Sequence, residues 1–138
     1  MVCEVIVDRK NFLVNQPFDY SVPKDLEEVI KKGMRGIAEF NKIPLIGYVV
    51  NIKDHSEFKG LKPLIKILDI APCLTEELLY LAYNMHKYYF SFYVNSLEAM
   101  IPQALKGKYE TSVTINDSNI DKEILDLFSS KQSFILTK

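Results

Sequence analysis

The feature that most constrains this chain is a change of hydrophobic period near Pro72. Before it, apolar residues come in short β-branched and aromatic runs separated by turn residues; after it, they recur at helical spacing. Residues 2–7 read as a first strand interrupted by Glu4, and a polar connector over 8–16 leads to a second strand over 18–22. The segment 24–32, between Pro23 and Gly33, predicts two helical turns. Third, fourth and fifth strands follow at 35–40, 45–52 and 61–68, with turn chemistry at Asn41-Lys42-Ile43-Pro44. Short strands joined by tight turns suit a small barrel or a sandwich.

Thr75-Glu76-Glu77-Leu78 is a helix start, with a side-chain cap and acid in the first turn. Leu78, Leu81, Ala82, Met85 and Tyr89 then share one face, and Tyr89 and Phe92 are expected to pack on the barrel. A second helix over 93–100 stops before Pro102. Residues 106–108 resemble a linker, after which 109–115 alternates like a strand and 120–128 has helical periodicity. The expected class is α+β, mainly β: about five strands followed by two helices.

The 138 residues are enough for one domain, or one small domain and part of another. With 48% hydrophobic and 25% charged residues the composition is that of a globular chain. Cys3 and Cys73 are isolated, which disfavours a metal or disulfide framework. No apolar run approaches the roughly 20 residues that span a bilayer, and the N-terminus lacks the pattern of a signal peptide. A cytoplasmic protein without a membrane partner is expected.

The net charge of −1 excludes a bulk nucleic-acid glue, yet residues 31–66 carry eight basic side chains against three acidic ones. Such a window suits a phosphate-tracking surface, and equally a solvated lysine face. Within it Arg35, Lys42, Lys59 and Lys66 are candidate contacts to a DNA backbone. No phosphate-binding glycine loop exists, and His55 and His86 have no nucleophile or ligand set beside them. Tyr88-Tyr89-Phe90 could form a stacking platform, but helical spacing favours a core role. Catalysis is not expected, and no catalytic or metal-binding residue is assigned.

Gln16-Pro17-Phe18-Asp19-Tyr20-Ser21-Val22-Pro23 sets a carboxylate between two rings in a proline-fenced segment. Rings can hold a base and a carboxylate can accept from base amino groups. Read alone, the segment is more commonly a plain strand, and alternation then sends Phe18 and Tyr20 one way and Asp19 the other. From the residues alone, a single-strand nucleic-acid binder and a protein-interaction module stay open.

A longer series of motifs narrows this. Pro17-Phe18-Asp19-Tyr20-x-Val22-Pro23 is followed by Gly33-Met34-Arg35, an aromatic strand end at Phe40, Gly47-Tyr48-Val49-Val50 and Leu61-Lys62-Pro63-Leu64-Ile65-Lys66-Ile67-Leu68-Asp69. Pro72-x-Leu74-Thr75, Ala82 through Tyr88-Tyr89 and Leu97-Glu98-Ala99-Met100-Ile101-Pro102 complete it. In this order, over residues 2–106, the chain resembles the N-terminal region of the PriA (primosomal protein N′) family of replication-restart helicases.

The resemblance implies a 3′ DNA-binding domain over 1–107, OB-like in shape, followed by an incomplete winged-helix segment over 108–138. It implies capture of the 3′ end of a nascent leading strand at a stalled fork. Asp19 is the expected contact to the terminal base, with Phe18 and Tyr20 shaping the pocket and Lys62 beside the nucleotide. Asn41 stands where the family usually has glycine; it tolerates positive φ, but close backbone approach to the ligand is put in doubt. Helicase lobes and primosome proteins are the implied partners. ATP, Mg and Zn would bind family regions outside this chain, so a fragment without cofactors and without ATPase activity is expected.

Overall fold

The structure, a computed structural model, describes residues 1–106. The expected strand over 109–115, the helix over 120–128 and the winged-helix assignment lie outside the described residues. Five strands, β1 (Val2–Val7), β2 (Phe18–Ser21), β3 (Arg35–Phe40), β4 (Ile43–Lys53) and β5 (Leu64–Ile67), precede two helices, α1 (Glu76–Tyr89) and α2 (Tyr93–Met100).

The strands form one antiparallel sheet in the order β2-β1-β4-β3-β5. It curls until its two edges approach, where Ser21 pairs with Pro63 and the Ser21 N–H donates to the Lys62 carbonyl at 3.0 Å. The result is an OB-like half-barrel with two helices, an α+β domain that is mostly β. No helix among the described residues is long and apolar enough to cross a membrane.

β1 is covered on both faces, which explains its near-continuous apolar run. Cys3, Val5 and Val7 point into the barrel with Tyr20, Ala38, Val49 and Leu64. Ile6 points the other way, to Leu79 and Ala82 of α1 and Val94 and Leu97 of α2. Each fully buried aliphatic side chain contributes about 1.5–3 kcal/mol. Glu4 shares the helix-side face with Ile6, at the point where the β1–β4 register shifts between Glu4 and Val5. Such an irregularity re-aims side chains locally.

Two local expectations are corrected. The segment between Pro23 and Gly33 is a series of turns, with Leu26 N–H bonding to the Pro23 carbonyl and Val29 N–H to that of Leu26. Its path is set by anchors at both ends: Ile30 sits in the barrel core, and Gly33 accepts from the N–H groups of Cys73 and Leu74. Gly33 has φ 84°, and a Cβ there would lie 1.9 Å from the Leu74 carbonyl oxygen, so only glycine permits this approach.

The second correction concerns α1. Thr75 caps it as expected, accepting from Leu78 N–H, but the buried face is Leu79 and Ala82 with Leu78 partly covered. Leu81 is 47% exposed and Tyr89 69% exposed, with Tyr88 and Phe90 also turned outward. Phe92 does pack with the helix-side core and on Phe12. The face is set by α2, which docks alongside α1 and draws in Leu79, one position off the expected stripe.

Candidate nucleic-acid interface

An open pocket of about 460 Å³ lies at the barrel mouth, between residues 16–20, the β3–β4 hairpin and residues 58–62. Pro17 breaks the chain just before β2, so the strand starts at Phe18 with its first rings at the rim. Phe18 meets Phe40 edge-on, ring centroids 5.2 Å apart, and Phe58 adds a third ring, 72% exposed. Tyr20 is buried beneath them and its hydroxyl donates to the Glu39 carbonyl at 3.1 Å. Burial, with nearby Cys3 and Glu39, pushes that phenol above its ordinary pKa.

Asn41 and Lys42 form the tip of the hairpin between the paired residues Phe40 and Ile43, with φ of 50° and 66°. Both angles lie in the left-handed region, the requirement of a two-residue type I′ turn. Asn41 therefore keeps the turn where a glycine was expected, and it borders the pocket. Lys62 lies on the opposite wall, its ammonium 2.6 Å from Glu39 Oε1.

Asp19 borders the same pocket, but strand alternation turns its side chain away from the Phe18 and Tyr20 rings. Its Oδ2 receives the Lys53 ammonium at 2.8 Å and the Ser56 hydroxyl. Burial opposes ionisation of this carboxyl, yet the bonds from Lys53 and Ser56 outweigh it and hold the pKa below the ordinary range. The side chain is only 7% exposed, and Oδ1 makes no hydrogen bond among the described residues. The carboxylate is thus oriented through Oδ2. Ser56 also accepts from Phe58 N–H at 3.1 Å, so the same contact ties down the loop that carries the third ring.

The remaining candidate residues separate. Lys42 at the hairpin tip and Lys59 beside Phe58 are exposed near the pocket rim, and Lys66 is exposed on β5. None of these three makes an ion pair among the described residues. Arg35 lies at the far end of β3 from Phe40, roughly 17 Å along the strand. Its guanidinium grips Asp69 at 2.6–3.2 Å and donates to the Leu105 carbonyl at 2.7 Å. That bond to Asp69 raises the Arg35 pKa; burial of Asp69 acts against ionisation but is outweighed by Arg35, and its carboxyl is held low. This arginine clamps the end of β5 to β3.

Sequence reasoning did not mark Phe40, Phe58, Ser56 or Lys53 as site residues. An aromatic in the charged loop 53–60 was a usable signal for Phe58. Lys53 and Ser56 carried none, because only the sheet brings them to Asp19.

Residues 4–102 match the PriA family described as 3′DNA-binding domain (3′BD). The chain is also 36% identical over 135 residues to the replication restart protein PriA of Bacillus subtilis (strain 168), covering 96% of this chain. It spans 17% of that relative's length. With the match running from β1 through the end of α2, the chain belongs to the PriA 3′ DNA-binding domain family.

Proposed function

We propose that the barrel-mouth pocket captures the 3′-terminal nucleotide of a DNA strand, and that its target is the nascent leading strand of a stalled fork. The observation that carries this reading is the make-up of the pocket: three Phe rings, Asn41 and Lys62 converge at the barrel mouth, with Asp19 at the border. Phe18, Phe40 and Phe58 offer faces and edges for a base, with stacking worth about 1–3 kcal/mol per base. Asp19 Oδ1 accepts from a base amino group or a sugar hydroxyl, Asn41 contributes its amide, and Lys62 exchanges Glu39 for the terminal phosphodiester. Lys42, Lys59 and Lys66 track the backbone outside. Arg35 is not carried into this reading. In the full-length protein the domain would deliver the fork to helicase lobes and primosome partners, while this chain itself performs no ATP hydrolysis.

Fluorescence anisotropy with matched oligonucleotides tests it. A free 3′ hydroxyl is expected to bind at least tenfold better than a 3′ phosphate, whose added charge the Asp19 and Glu39 carboxylates of the pocket would repel. Equal affinities would sink end recognition and favour a general single-strand binder steered by the exposed lysines. No binding to forked DNA even at low salt would favour a protein-interaction module.

A further inference from the structure

A second cavity, of about 420 Å³, lies on the opposite face of the sheet from the barrel interior, between β1, β4 and the two helices. It has no role in the reading above, but it adjoins the first. Gln16 and Pro17 line both pockets. Lys53 also couples them, its ammonium 2.8 Å from Asp19 beside the first and 3.0 Å from Glu4 in the second.

The walls of this cavity combine rings, amides and a cation. Tyr83 meets Tyr93 edge-on with centroids 5.9 Å apart, and His86 stacks on Tyr93 at 5.1 Å. Asn15 locks this corner, accepting from Tyr93 N–H at 2.6 Å and donating to the Ser91 carbonyl. The aromatic wall is thus held in place before any ligand arrives. Lys87 Nζ lies over one face of the Tyr83 ring, 5.6 Å from its centroid, a contact it would exchange for a phosphate, and it has no ion-pair partner among the described residues. Asn51 and Gln16 supply amide donors, and Lys53 neutralises Glu4, the acidic group in the lining.

We infer that this cavity holds the nucleotide immediately 5′ of the terminal one, which reaches it over the Gln16–Pro17 ridge. Tyr83 provides the stacking surface and Lys87 the phosphate contact. Rings beside a cation suit an aromatic anion, and a nucleotide of the strand already seated next door has the highest local concentration there. The inference rests on the first pocket being the site of the 3′ terminus.

The test uses the full 138-residue chain and ligands with free 3′ hydroxyls: a nucleoside 5′-monophosphate and a trinucleotide. The trinucleotide is expected to bind about tenfold more tightly, the size of one base stack. Tyr83→Ala and Lys87→Ala should each remove most of that gain while leaving mononucleotide affinity unchanged, and Tyr83→Phe should restore it. A gain that survives in both alanine variants overturns the second subsite, as does an unmodified chain that binds the mononucleotide but gains nothing from length. A Tyr83-dependent gain without discrimination between 3′ hydroxyl and 3′ phosphate would instead overturn the terminal reading of the first pocket.

Discussion

Lys53 holds Asp19 by an ion pair of 2.8 Å at the sheet edge, on the face away from the Phe18 and Tyr20 rings. A family signature that looks like one cluster in sequence is therefore split by the strand: rings to the barrel mouth, carboxylate to the other side. Lys53 and Ser56 fix Asp19 through Oδ2 at the border of the pocket.

Asp19→Ala removes a charge-assisted acceptor and the anchor of the Phe58 loop together. The expected loss in 3′-end affinity is about one to two decades, from roughly 1.5–3 kcal/mol. Ser56→Ala keeps the acceptor but releases the loop, so its effect should be smaller and should appear alongside faster amide exchange at Phe58. Anisotropy with hydrogen exchange checks both. If Asp19→Ala unfolds the domain, its role is structural alone.

Arg35→Ala breaks a mostly buried pair, with side chains 18% and 9% exposed, and strands the Asp69 carboxylate. A loss of about 2–3 kcal/mol in urea unfolding is expected. The salt dependence of DNA binding should not change. Lys59→Ala should do the reverse, leaving stability intact and lowering the salt slope by about 0.7 for one lost single-strand phosphate contact. A reduced slope for Arg35→Ala would return this residue to the DNA surface.

Lys42→Gly separates turn chemistry from charge at one position. Lys42 has φ 66°, a conformation that costs a non-glycine residue about 1–2 kcal/mol, so glycine should raise thermal stability by about 1 kcal/mol. The same change removes an exposed cation beside the pocket and should weaken DNA binding at low salt. Calorimetry and a salt titration read the two opposite effects.

Acid should destabilise the domain through Asp19 and Asp69. Both are held below the ordinary aspartate value of 3.8, so near that pH the unfolded chain takes up protons that the folded chain does not. Their contribution is complete at neutral pH, begins to fall as pH drops below about 3.8, and is lost as pH passes through the lower folded values. Asp69→Asn should flatten this part of the profile and lower stability at neutral pH. Urea midpoints measured from neutral pH down to strong acid check it.

Much of the fold was readable from local pattern. β1, β3 and α2 begin and end where their runs and stops predict, because alternation, turn residues and Pro102 act within a few positions of each other. The Thr75 cap was equally legible, since its partner Leu78 is three residues away. Where the outcome depended on distant surfaces, the local pattern misled. The 24–32 segment has helical spacing but follows Ile30 into the barrel and Gly33 to Leu74. Leu81 and Tyr89 fit an apolar stripe, yet α2 selects Leu79 and leaves them exposed.

The sequence by itself determined the strand-then-helix order, the left-handed tolerance at Asn41 and the family to which the motif series belongs. These rest on backbone preference and spacing, which a chain carries wherever it is read. Only the tertiary structure decided that Lys53 and Ser56 meet Asp19, that Arg35 is spent on Asp69, and that two pockets share the Gln16–Pro17 ridge. Each depends on strand register and sheet closure, which place side chains far apart in the chain within hydrogen-bond reach. An ion pair has no period, so nothing in the run of residues announces its partner.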